Sequence, residues 1–370
     1  MKLRMTWEYW CVFFAIAVVY YVPSGYLTSI GIPIDSLIFG GWLLFSFILL
    51  IKRNTKFTLI EFLYIMCIFI LCMFQLSISP LILLTPVLIK HFLSNNSIII
   101  FNRILNETYI FIVAVLFTII YSVYYGISSG RFLHTGVDEV NESGLAIFLL
   151  ALIIKKRWPK FGNIILLFGV LSLSRNYLFA LIFYALWNID VVKKIFLKIY
   201  NKNIINLGVI LPLAVFVLYL MGLFCETQYI EGKIFYEIAF KDRIKNFLDL
   251  SNYYRFTVVV YLVNILLSTP KYLFFGCKES IFKTECYKYA SEHGQLYVGN
   301  NPHNLLLSYT KIYGITGCFY ISFVSSFIRK YISRNNLFIY IILLSYAIFL
   351  GASFNGYWLI ISLFTLALYI

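Results

Sequence analysis

Long apolar runs alternate with short polar connections along almost the whole chain, and one extended polar stretch, residues 224–303, interrupts the pattern. The runs fall near 9–22, 34–51, 57–74, 77–93, 106–126, 141–154, 161–174, 176–190, 204–223, 304–328, 336–351 and 355–370. Runs approaching ~20 apolar residues predict transmembrane helices, about twelve of them here, so the expected fold is an all-α, polytopic integral membrane protein. Its expected parts are helices one to nine over 1–223, a large extracytoplasmic loop over 224–303, and helices ten to twelve over 304–370. Within the loop, the three-to-four spacing of Ile234, Phe235, Ile238, Ala239, Ile244, Phe247 and Leu248 predicts an amphipathic helix over Glu231 to Leu250. A second helix is expected over 253–267, stopping before Ser268-Thr269-Pro270, with Gly276 to Asn301 as an irregular lid.

Composition narrows the class. With 61% hydrophobic and 12% charged residues, the chain is too apolar for an ordinary soluble domain. The net charge of +14 suggests a polyanion partner until its distribution is read. Lys2 and Arg4, Lys52 and Arg53, Lys90 and Arg103, Lys155 to Lys160, Lys193 to Lys202, and Arg329 to Arg334 fall on every second connection. That alternation is the positive-inside pattern, and it predicts both termini in the cytoplasm. No small-x-small cleavage site follows the first apolar run, which therefore reads as a retained span. Of the seven cysteines, Cys277 and Cys286 are the best-placed pair for a disulfide on the oxidising side. No metal-ligand cluster, phosphate-cradling glycine loop or nucleotide fingerprint is present, so no cofactor is expected.

Candidate chemistry gathers on one side of the membrane. Arg131, Arg175, Arg255 and His303 are all expected outside. Arg175, in a tight turn after Leu171-Ser172-Leu173-Ser174, either snorkels, pairs or binds an anion. Arg255 either pairs locally with Asp249 or offers its guanidinium fork to phosphate oxygens. In Asn300-Asn301-Pro302-His303-Asn304, Asn301 is the expected N-cap and Pro302 the expected first helical residue, which puts His303 on the opening turn. There the helix dipole favours a neutral imidazole able to accept a proton, and free N–H groups favour an anion. His134 is an alternative base. Lys311, two turns deeper, is expected to face the interior, where it either neutralises a diphosphate or pairs with Asp138 or Glu142. Asp138 to Ser143 gathers three acids and an amide where a span begins; Asn141 either caps that helix or, with the carboxylates, orients a sugar.

The stretch His303-Asn304-Leu305-Leu306-Leu307, followed by Gly314-Ile315-Thr316-Gly317, resembles the signature of the bacterial O-antigen ligase/polymerase family. Ser172-Leu173-Ser174-Arg175, Asp138 to Ala146, and Arg255 ahead of Pro270 and Gly276 are similar to further family segments, so the likeness covers about residues 130–320. One departure is Gly276-Cys277-Lys278, where members often have a second glycine. The resemblance implies a membrane glycosyltransferase bundle of the GT-C-like type, acting without metal on undecaprenyl-diphosphate-linked oligosaccharides at the periplasmic face. It implies His303, Arg175 and Arg255 as catalytic residues, and Arg131, Asp138, Asn141, Asn304 and Lys311 as substrate-binding residues. A polymerase joining repeat units is the favoured member, working with membrane lipid and a chain-length regulator protein. A ligase transferring the glycan to lipid A-core is the near alternative, and a flippase for the same lipid-linked sugars is the alternative from another class.

Overall fold

Among the described residues two helices are buried on every face over most of their length, and they form the middle of the bundle. Ser143 to Ile154 of the Val140–Arg157 helix are all buried, and so are Trp358 to Leu368 of the Gly356–Leu368 helix. The computed structural model describes residues 7–21, 34–52, 55–77, 79–92, 97–106, 108–129, 140–172, 174–200, 206–227, 250–293, 299, 301–351 and 353–370. Among the described residues the fold is helical throughout, with no strand.

Around this centre pack Trp7–Ile16, Ile34–Lys52, Leu59–Gln75, Thr108–Ser129, Arg175–Trp187, Leu207–Thr227, Ile315–Ile328 and Leu337–Phe349. Local signals set their ends. Thr58 and Glu61 form a reciprocal capping box at the start of Leu59–Gln75, and Leu76 closes that helix in the left-handed conformation. Ser174 caps Arg175–Trp187 by accepting from the Tyr177 N–H at 3.3 Å.

The bundle has two chemically different ends. At one, Lys155 donates to the Tyr184 hydroxyl, Lys156 lies over the Tyr369 ring, Trp187 meets Phe338, and Lys90 reaches Glu61. At the other, Asn304 donates to the Ile348 carbonyl at 3.2 Å. Because Tyr184 and Trp187 contact Phe338 at the start of Leu337–Phe349, the two helices run antiparallel. Arg175 therefore begins its helix at the Asn304 end.

Outward faces are apolar and inward positions carry the polar groups. On Leu59–Gln75, Glu61 and Gln75 are buried while Leu59, Ile60, Phe62, Leu63, Met73 and Phe74 are exposed. On Thr108–Ser129, Thr118 and Ser122 are buried and bond to carbonyls of their own helix, while Leu116, Ile119, Ile120 and Val123 are exposed.

Several sequence expectations change. The run 304–328 is two helices, Leu305–Tyr313 and Ile315–Ile328, broken at Gly314 with φ +58. The run 77–93 opens as a 3-10 helix, Ser79–Leu84, before Thr85–Phe92, because Pro80 and Pro86 interrupt regular hydrogen bonding. The run 161–174 likewise tightens into 3-10 geometry over Gly169–Ser172. Helices Ser97–Asn106 and Asp190–Ile199 appear where connections were expected. The lid expected to be irregular holds a 14-residue helix, Glu279–Glu292, and the loop helix runs Leu250–Ser268. The amphipathic helix expected from Glu231 falls, up to residue 249, outside the described residues. Among the described residues no single helix is long and apolar enough to cross a membrane; Ile99–Asn106 with Tyr109–Tyr124, bent by 61°, passes that test as a pair.

Candidate functional site

Two glycines build the floor of the site. Gly276, with φ +71, lies so close to the end of Leu305–Tyr313 that an added Cβ would sit 2.0 Å from the Ile312 carbonyl oxygen. Gly314, with φ +58, would put a Cβ 2.4 Å from the Phe274 carbonyl oxygen. Only glycine tolerates both the conformation and the approach. The contact lets the Cys277 N–H donate to the Lys311 carbonyl at 2.9 Å, fixing the start of Glu279–Glu292 against the deeper helix. Gly276 thus meets Gly314 directly, its amide nitrogen 2.7 Å from where a Gly314 Cβ would sit.

Lys311 is brought into the site by this packing. Its side chain is 3% exposed, yet Nζ lies 3.2 Å from the Glu279 carboxylate, whose side chain is 63% exposed. The Phe282 ring centroid is 5.9 Å from the same ammonium. The acidic partner is Glu279, from the first turn of the lid helix; Asp138 lies outside the described residues. No sequence signal singled out Glu279, because the segment around it has neither an apolar period nor a motif.

His303 precedes its helix. The cap is Asn304, whose side chain accepts from the N–H groups of Leu306 and Leu307 at 3.1 and 3.3 Å. This corrects the expectation that Asn301 caps and Pro302 starts the helix. Asn301 instead accepts the His303 N–H at 3.2 Å, a local turn that holds His303 at φ +50. A left-handed non-glycine residue is uncommon, and histidine is among the types that adopt it. Asn304 itself is fully buried, capping with its oxygen and tying to Ile348 with its nitrogen.

Arg255 approaches from the neighbouring helix. Val258 and Val259 of Leu250–Ser268 pack with Leu307 and Leu218. Arg255 lies one turn before those valines and His303 one turn before Leu307, which puts the two at a similar level. Burial, then the Arg255 guanidinium, then the Lys311 ammonium, hold the His303 imidazole below its usual pKa of 6.5. His303, Arg255 and Lys311 therefore share one electrostatic neighbourhood.

Arg175 opens its helix at this same end, beside Gly144, where an added Cβ would touch the Ser174 hydroxyl at 3.2 Å. Asn141 lies one turn before Gly144 and so is placed at this end as well. The side chains of Arg175 and Asn141 lie outside the described residues, as do Arg131, His134 and Asp138 altogether. Cys277 and Cys286 are both buried free thiols within one apolar cluster. Burial pushes Cys277 up to about 11 and Cys286 to about 12, against the pull of the Lys311 ammonium. The disulfide considered for them is not formed.

Among the described residues no group of His, Cys, Asp and Glu is arranged to hold a metal ion. The set that is present, two cations acting on one imidazole whose pKa they lower, suits binding of a polyanion and removal of a proton beside it. Compared with protein-family models, curated proteins and solved structures, the chain matches none of them.

Proposed function

We propose that this chain is an integral membrane glycosyltransferase that polymerises undecaprenyl-diphosphate-linked oligosaccharide repeat units at the periplasmic face of a bacterial inner membrane. The observation that carries the reading is the half-buried imidazole of His303 at one end of the bundle, held below its usual pKa by burial and by the Arg255 and Lys311 cations. The membrane assignment is supported by the apolar outward faces of Leu59–Gln75 and Thr108–Ser129, whose few polar residues Glu61, Gln75, Thr118 and Ser122 turn inward, an arrangement unfavourable in water and suited to lipid. Lys155, Lys156, Lys193 and Lys194 lie towards the opposite end, as the positive-inside rule requires of the cytoplasmic side.

In the proposed reaction His303 takes the proton from an acceptor-sugar hydroxyl as that oxygen attacks the anomeric carbon of the donor. A new C–O bond forms on one face while the bond to the lipid diphosphate breaks on the other, so the anomeric centre inverts. The electron pair leaves on the diphosphate, and Arg255, Lys311 and Arg175 stabilise the growing charge. Asn141, with Arg131 and Asp138, positions the sugars, while Asn304 holds the helix that presents His303.

The test supplies purified protein in nanodiscs with lipid-linked repeat units and separates the products by length. A ladder of longer lipid-linked chains, lost in His303→Ala while folding is retained, is the expected result. Transfer only to added lipid A-core would assign a ligase instead. Transbilayer movement of the donor without either product would assign a transporter.

A further inference from the structure

A second site lies at the opposite end of the molecule from His303. A groove of about 890 Å³ runs between the outer face of Thr108–Ser129 and the start of Pro159–Phe168. Its volume falls in the range of roughly 300–1,000 Å³ expected of a small-molecule site. One wall is the apolar strip Ile112, Val115, Leu116 and Ile119, with Phe161 facing it; Arg157, Trp158 and Lys160 stand at the other extreme.

The wall of the groove is almost wholly apolar, and the charges of Arg157 and Lys160 lie at its margin. Arg157 donates to the Leu105 carbonyl at 3.3 Å and to that of Asn106, so it sits where Thr108–Ser129 begins. From Ile112 to Ile119 the wall runs away from it by two helical turns. Arg157 also lies 5.2 Å from the Trp158 ring centroid. Lys160 is exposed, and among the described residues neither it nor Arg157 has a carboxylate partner. Trp158, at the N-cap of Pro159–Phe168, offers no side-chain acceptor to that helix's first N–H groups, so the helix dipole adds positive potential beside Lys160. An apolar occupant that carries an anionic group at the Arg157 end matches both the wall and its margin.

We infer that this groove is a binding site for one anionic phospholipid of the leaflet at the Lys155–Lys160 end, its phosphate on Arg157 and Lys160 and an acyl chain along Ile112 to Ile119. The inference rests on the membrane part of the proposed function and not on the glycosyl transfer. A basic cluster at the lipid surface attracts anionic headgroups by a factor of about five per cation.

The experiment is native mass spectrometry of the full chain from nanodiscs containing equal phosphatidylglycerol and phosphatidylcholine. Wild type should retain phosphatidylglycerol preferentially. Lys160→Ala should lower that preference about fivefold, by loss of one cation. Leu116→Trp, which fills the groove without touching a charge, should reduce retention of both lipids. Equal retention of the two lipids by wild type, no change in either variant, or retention of an added polyprenyl phosphate ahead of phosphatidylglycerol would overturn the site. Chain recovered from membranes with no headgroup preference refutes the groove alone, whereas chain recovered lipid-free from the aqueous fraction refutes the membrane reading with it.

Discussion

Replacing Lys311 with methionine separates a binding role from a structural one. The ammonium is 3% exposed and pairs with Glu279, whose side chain is 63% exposed. Removing the lysine therefore strands no buried carboxylate, since Glu279 is already largely hydrated. Methionine keeps the length of the side chain and packs against Phe282, and exchanging a buried ion for an apolar group of similar volume is often neutral or stabilising by about 1–4 kcal/mol. The thermal midpoint should accordingly stay level or rise. If Lys311 holds a diphosphate oxygen, the variant loses one hydrogen bond to a charged group, about 1.5–3 kcal/mol. At about 1.36 kcal/mol per decade this predicts a fall in kcat/KM for the lipid-linked donor of about 10- to 150-fold. The assay is donor turnover in nanodiscs, read beside thermal unfolding of the same preparation. Unchanged kcat/KM would remove Lys311 from the site, and a loss of activity matched by a loss of several kcal/mol of stability would make it structural.

Other consequences follow from the same geometry. His303 accepts a proton only when neutral, and its pKa is held below 6.5 by burial, Arg255 and Lys311; the acid limb of kcat/KM should lie below that pH and move upward in Lys311→Met, as a pH profile would show. Asn304→Ala removes a cap worth about 1 kcal/mol and the partner of the Ile348 carbonyl worth about as much again, so the unfolding free energy should fall by about 2 kcal/mol. Gly314→Ala puts a Cβ 2.4 Å from the Phe274 carbonyl at φ +58 and should destabilise by more than about 1 kcal/mol in thermal unfolding.

The helices were legible because a long apolar run has few alternatives, and Ile34–Lys52, Leu59–Gln75 and Leu337–Phe349 begin and end close to where hydropathy places them. Hydropathy does not register backbone geometry. Gly314 breaks one apolar run into two helices because it meets Gly276, nearly forty residues earlier, and no local pattern announces that contact. Asp190–Ile199 escaped notice for a different reason: four charged residues, Asp190, Lys193, Lys194 and Lys198, conceal its apolar face from an average over the window. In the site, His303 was visible as a polar residue at a loop-to-helix junction, but its cap was misplaced by three residues because Asn301, Pro302 and Asn304 are all good helix starters. Glu279 was invisible, since a single carboxylate on a polar helix carries no pattern of its own.

In the proposed reaction Arg255 and Lys311 receive the donor's diphosphate, and a structure determined with a non-hydrolysable undecaprenyl-diphosphate-linked repeat unit tests this most directly. Diphosphate density is expected within hydrogen-bond distance of the Arg255 guanidinium and Lys311 Nζ, with the anomeric carbon facing the His303 imidazole and Glu279 displaced from Lys311. Diphosphate density at the opposite end of the bundle, beside Lys155 to Lys160, would contradict it.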